Sequence, residues 1–277
     1  MTGALAYDDI CFHADNWTED SRNIKLTRLE SSYGGCAMNI AYNLQQLGLD
    51  PLPVVHAGDL DYANYQQHLT RLAISDVGVI RVADERCSKG IIFTGPDGTQ
   101  TTAFYPGPAT SHRSIERIET LRSNHTVVAS IIGPDLPHSM QDIAAALRDG
   151  RDRFWCPGQY ADRLTNELIR AIASNIDTLI VNRHELQAME QVVSELTDLC
   201  ETVVVTDGAA PVKVMHDGRS ISVDVPHTQM IDPTGCGDAF TAGFVADRLA
   251  GVAIADAIRQ GIERAARCLA CYGAQAH

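Results

Sequence analysis

The run Asp232-Pro233-Thr234-Gly235-Cys236-Gly237-Asp238 carries the residue types needed to hold an anion and move a proton. Directly after it, Phe240, Phe244, Val245 and Leu249 recur at helical spacing, so a Gly-x-Gly turn opens into a helix. Glycines let the backbone come close to a ligand. The N–H groups of the first turn have no helical partner and lie at the positive end of the helix dipole, which makes an anion site. Asp238 puts a carboxylate at the same place, suited equally to capping the helix and to accepting a proton. The helix end favours its ionised form, so a weak base is expected. A dinucleotide-binding turn would need a third glycine where Phe240 stands, and too little chain follows for a βαβαβ unit.

A second constellation lies near the start. Gly34 and Gly35 precede a helical pattern with apolar residues at 37, 40, 41, 44 and 47, and Gly48 supplies its stop. Asn39 in the first turns offers both a donor and an acceptor. Asp8 is expected at the end of a short strand over residues 3–7. A carboxylate and an amide beside a glycine turn suit the vicinal hydroxyls of a polyhydroxylated ligand.

The elements that must position these groups alternate between two periods, as in an α/β layer fold. Continuous apolar runs at 126–132, 153–156, 178–181 and 202–206 read as strands covered on both faces, and 139–147 and 165–173 read as helices. Two regions break the rhythm. Residues 90–94 and 99–105 flank Gly95-Pro96-Asp97-Gly98, a hairpin turn signal, and 10–29 shows short apolar pieces without helical period. Both are expected in a small β-sheet over the main layer, with an antiparallel extension of the main sheet as the alternative.

Composition narrows the chemistry. Lys+Arg 22 against Asp+Glu 35 leaves a net charge of −13, which disfavours nucleic-acid partners. The only lysines are Lys25, Lys89 and Lys213; none ends a Gly-x-x-x-x-Gly-Lys-Ser/Thr run, which excludes a P-loop. No apolar stretch nears the roughly 18 residues of a membrane helix, and no basic start precedes an apolar core. A soluble, cytoplasmic protein without a membrane partner is expected, its 8 cysteines reduced. Cys268 and Cys271 have metal-ligand spacing but lack a second pair, and they lie in a helical pattern.

Together these motifs resemble the PfkB/ribokinase family of small-molecule kinases. Gly34-Gly35 with Asn39 is similar to the family's N-terminal signature, and Asp232 to Asp238 to its C-terminal one. Asn182-Arg183-His184-Glu185 resembles its Asn-x-x-Glu element, and Thr206-Asp207-Gly208 its Thr-x-Gly element. Ala6-Tyr7-Asp8, Gly35-Cys36-Ala37, Ala103-Phe104-Tyr105-Pro106-Gly107 and Pro157-Gly158-Gln159 look like bacterial adenosine-kinase-like members. The resemblance implies a single kinase domain over 1–277: a three-layer α/β/α sandwich with a mostly parallel central sheet and a small β-sheet lid built from about 10–32 and 87–108.

The same resemblance implies ATP- and Mg²⁺-dependent transfer of the γ-phosphoryl group to a primary hydroxyl of a nucleoside, most of all adenosine. A sugar kinase is the alternative, and a catalytically silent sensor a further one. Asp238 would be the catalytic base, and the backbone of Gly235, Cys236 and Gly237 the anion hole. Asp8, Gly34, Gly35 and Asn39 would hold the acceptor. Tyr105 would stack on a nucleobase, or serve as an ordinary strand tyrosine. Asn182, Thr206, Gly208 and Gly273 would line the ATP cleft, with Gly273 in an adenine-side loop. Glu185 would organise Mg²⁺ through water, and Asp232 and Thr234 would bind a monovalent cation such as K⁺. The lid edge predicts a monomer or a homodimer paired through the lid. Three departures stand out: Pro233 for Thr, Met38 for a Gly that would open the turn, and Ala209-Ala210-Pro211 without a second glycine.

Overall fold

The structure, a computed structural model, describes residues 1–13, 23–96, 98–108, 111–194 and 196–277. Residues 14–22 of the expected lid and Asp97 of the expected hairpin turn lie outside them. The apolar runs form a six-stranded sheet: β7 (Ser130–Ile132), β8 (Arg153–Trp155), β9 (Thr178–Asn182) and β10 (Thr202–Asp207) are parallel. The antiparallel strands β11 (Ala210–His216) and β12 (Arg219–Val223) complete it, in the order 12-11-10-9-8-7. Thr2 bridges both Ile132 and Val54, which joins the six strands to the parallel pair β3 (Val55–Gly58) and β4 (Val79–Val82).

Both faces of its four parallel strands are buried. On one side Ile131, Phe154, Ile180 and Val204 pack with residues of α1 (Cys36–Gln46), α7 (Cys236–Leu249) and α8 (Ile254–Leu269). On the other, Ile132, Trp155, Leu179 and Val203 meet α3 (Ser111–Asn124), α4 (Pro137–Leu147) and α5 (Asn166–Ala173). Successive side chains of a strand point to opposite faces, so continuous apolar runs fill both layers. The expected strand over 126–132 shrinks to three residues because its ladder starts only where β8 starts, at Ser130 opposite Arg153. Val127 and Val128 precede it, exposed. Among the described residues no helix is long and apolar enough to cross a membrane.

The smaller sheet is separate, not an extension of the main one. Its order is 2-1-5-6, from β1 (Ala6–His13), β2 (Leu26–Gly34), β5 (Ser88–Thr94) and β6 (Gln100–Tyr105). β1 therefore runs well beyond the expected 3–7, and Asp8 lies within it rather than at its end. The polar pair Asp8-Asp9 breaks the apolar signal after Tyr7, and pairing with β2 on one side and β5 on the other carries the strand through it. Helix α2 (Tyr62–Arg71) packs Tyr62, Tyr65 and Leu69 against the same cluster as Leu5, Ala37 and Met38.

Candidate active site

One cross-strand row of the small sheet reads Ser32, Asp8, Gly90, Phe104. Asp8 is buried at 7% exposure, and its carboxylate occupies space that glycines leave open. A Cβ on Gly34 would lie 1.7 Å from Asp8 Oδ2, and one on Gly90 2.6 Å from Oδ1. Gly35, at φ 91°, is the N-cap of α1 and turns the chain from this row into the helix that carries Asn39. Met38 does not narrow that turn, contrary to expectation: it is wholly buried in the core beside Leu5 and Ala41.

Tyr105 is in the wrong row. It pairs with Lys89, which pairs with Tyr7, so it lies on the face opposite Asp8. Phe104, one residue earlier, shares the face of Asp8 and is 37% exposed. A shift of one residue exchanges faces, and the sequence alone does not fix that register.

The first turn of α7 brings the other half of the site. Gly235 caps it in the left-handed region at φ 80°, and an ideal Cβ there would sit 3.6 Å from Asn39 Nδ2. Asn39 Nδ2 donates to Asp238 Oδ2 at 2.8 Å. A Cβ on Gly237 would meet no atom within 4 Å, so the helix end keeps room for a ligand phosphate.

The Asp238 carboxyl is not held in its ionised form as a helix N-terminus alone would hold it. Burial pushes its carboxyl up to about 7, and the negative charges of Asp8 and Glu185 push in the same direction against the Asn39 hydrogen bond. Asp8 also rises to about 7, through burial first and then Asp232 and Asp9. Removing a negative neighbour eases ionisation. The rising limb of kcat/KM is therefore expected near pH 7 and should move to lower pH in Asp8→Asn. A pH profile in which that variant's limb stays put would contradict the coupling.

Asp232, wholly buried, ties three segments together. Its Oδ1 accepts from Thr234 N at 3.0 Å and Thr234 Oγ1 at 2.7 Å, and its Oδ2 accepts from Gly273 N at 2.8 Å. Gln100 Nε2, on β6, donates to Thr234 Oγ1 at 3.0 Å and so links the small sheet to this loop. Gly273, expected on the adenine side, packs instead toward the small sheet: a Cβ there would lie 2.8 Å from Ser32 Cβ. The neighbouring Tyr272 ring carries the Arg28 guanidinium 3.7 Å from its centroid and meets Phe12 edge-on.

Asn182 ends β9 and caps α6 (Arg183–Glu190) in a reciprocal capping box. Its Oδ1 accepts from Glu185 N at 2.9 Å, while Glu185 accepts from Asn182 N at 3.0 Å and Nδ2 at 2.7 Å. Glu185 is half-buried, and burial raises its carboxyl. Each of its oxygens holds one of those bonds and retains a lone pair, which fits a metal held through water. Thr206 lies near the end of β10 and Gly208 just beyond it, at φ 56° with open space around it.

Asn182, Thr206 and Asp207 thus gather where parallel strands end, outside the carboxyl edge where α/β sheets bind ligands. Sequence reasoning did not single out Gly90 and Phe104 in the small sheet, or Gln100 beside Thr234. Gly90 and Phe104 were within the hairpin, and a register argument would have found them. Gln100 carried no motif.

Phosphoryl transfer needs little covalent help and depends on positioning and on fixed dipoles aimed at developing charge. A helix end with open space at Gly237 and a carboxyl raised to about 7, near the polar Asp8 row, suits a phosphotransferase acting on an alcohol group. The pfkB family of carbohydrate kinases matches residues 1–277, and the chain belongs to this family. It is 25% identical to a nucleoside kinase of Methanocaldococcus jannaschii over 249 residues, covering 88% of this chain and 81% of that one. A nucleoside kinase of Methanothermobacter thermautotrophicus is 26% identical over 255 residues, 90% and 82% of the two chains. The fold superposes on the nucleoside kinase of Burkholderia thailandensis in complex with inosine with a TM-score of 0.89, at 25% identity and covering 99% and 91%. The chain is a kinase of the nucleoside or sugar type, with the ribokinase-like layered fold.

Proposed function

We propose that the acceptor is a nucleoside, adenosine foremost, phosphorylated on its primary hydroxyl beneath the small sheet acting as a lid. The row Asp8–Gly90–Phe104 carries this reading. A carboxylate and the Asn39 amide suit ribose hydroxyls, and an aromatic ring two strands away, across a residue with no side chain, suits a base. The similarity to nucleoside kinases supports it.

Asp238, near its midpoint at neutral pH, takes the hydroxyl proton, while the Gly235, Cys236 and Gly237 amides face the transferring phosphate. When bound, ATP supplies that phosphate and Mg²⁺ neutralises its oxygens, with Glu185 and Asn182 on the metal side and Thr206 and Gly208 along the nucleotide. Asp232, deeply buried and in no ion pair among the described residues, is the group a monovalent cation would neutralise. Adenosine is expected to release ADP from Mg-ATP faster than inosine, guanosine, cytidine, ribose or fructose. Phe104→Ala should raise its KM by about tenfold, the value of one lost base stack. Preference for a sugar would keep Asp238 and discard Phe104 as a base contact. Nucleoside binding without turnover would make the protein a sensor.

A further inference from the structure

The Asn39 amide can present either its nitrogen or its oxygen to Asp238, and only the nitrogen supports the carboxylate. A chain of hydrogen bonds removes that freedom. The Gly34 carbonyl can only accept, and Tyr65 OH donates to it at 2.7 Å. With its proton committed, Tyr65 OH accepts from Gln275 Nε2 at 3.0 Å. The same Nε2 donates to Asn39 Oδ1 at 2.9 Å, so Asn39 Nδ2 is turned to Asp238. The other end of Gln275, Oε1, lies 2.9 Å from His68 Nε2, which is then the donor nitrogen of the ring. His68 is stacked flat on Tyr33 of β2, centroids 3.8 Å apart, and burial lowers its pKa. A proton gained at Nδ1 leaves the Nε2–H donor in place.

We propose that Gln275 is a positioning residue for phosphoryl transfer, fixing which end of the Asn39 amide faces Asp238, with Tyr65 and His68 fixing Gln275 in turn. It touches no reacting atom and acts through Asn39. The inference rests on Asp238 being the base. Asp238 is also faced by Asp8 of β1, by Glu185 of α6 and by the thiols of Cys36 and Cys156; none of these constrains the Asn39 amide.

The test uses the full-length chain and whichever acceptor the wild type phosphorylates. Gln275→Met keeps the length and removes both polar ends. Its kcat should fall by about tenfold, as for loss of one hydrogen bond, and the rising limb of kcat/KM should move to higher pH. Gln275→Glu can only accept, so it draws Asn39 Nδ2 away and turns Oδ1 toward Asp238; a loss of about a hundredfold is expected. Tyr65→Phe keeps the ring and drops the anchoring hydroxyl, so its limb should shift in the same direction by less. If the Glu variant outperforms the Met variant, or the limbs stay fixed while only melting temperature falls, Gln275 is packing alone. Should the Gln275 variants unfold, the Tyr65→Phe limb decides. Full activity in Asp238→Asn would instead remove the base assignment itself, a separable failure.

Discussion

Replacing Asp238 by Asn is expected to lower kcat by at least about a hundredfold with little change in acceptor Kd. The substitution is nearly isosteric, and the new amide oxygen can still accept from Asn39 Nδ2, so the geometry of the acceptor site survives. What is lost is the capacity to take a proton. Stability should move the other way. A carboxyl whose folded pKa is raised binds its proton more tightly folded than unfolded. Its contribution is therefore present below the unfolded value near 4 and is lost as pH rises through about 7. Above that, an ionised Asp238 costs stability, so the Asn variant should melt higher than wild type at pH 8 and gain less at pH 5. A dead variant that melts higher separates lost chemistry from lost folding. Near-normal turnover would show that another group takes the proton.

The second large effect is expected at Gly235. Its φ of 80° is a left-handed conformation that costs an ordinary residue about 1–2 kcal/mol, and a Cβ there would lie 2.2 Å from Ala274 Cβ. Gly235→Ala therefore rotates the first amides of α7 away from the phosphate. Loss of one such donor typically lowers kcat by about 10² to 10³. Adding Ala274→Gly removes the 2.2 Å contact but leaves the Cα of residue 274 3.1 Å away and the dihedral cost in place, so the double variant should recover only part of the rate. Wild-type turnover in Gly235→Ala would sink the anion-hole reading. Binding of acceptor, measured without nucleotide, should be little changed in either case.

Much of this site could be read from the chain because its parts are local. A glycine turn followed by helical periodicity marks both α1 and α7, and the continuous valine and isoleucine runs mark the buried parallel strands. What could not be read depends on partners distant in sequence. The strand carrying Asp8 has its apolar signal broken by the Asp8-Asp9 pair and runs through it because β2 and β5 flank it. Tyr105 and Phe104 are separated by one step of register, which only the pairing with Lys89 and Gly90 resolves. The basicity of Asp238 is set by burial and by Asp8 and Glu185, while sequence shows only the helix end. Gln275 stands in no motif, and its partners His68 and Asn39 lie 207 and 236 residues away.

That separation bears on how the enzyme matures during synthesis. Asp8 and Asn39 leave the ribosome early, whereas Asp238, the turn at 235–237, the Asp232 hub and Gln275 all follow residue 231. An emerging chain can pair β1 with β2 and β5 and build the parallel strands while it still lacks Asp238 and the turn before it. Through that interval Asp8 sits beside glycine-lined space with no helix opposite it. Such long-range closure is slow, because the loop entropy is spent before the contacts form. The proposed base and its amide neighbours are therefore the last parts of the site to be synthesised, and they meet Asp8 and Asn39 only when α7 and the segment after α8 pack against the earlier chain.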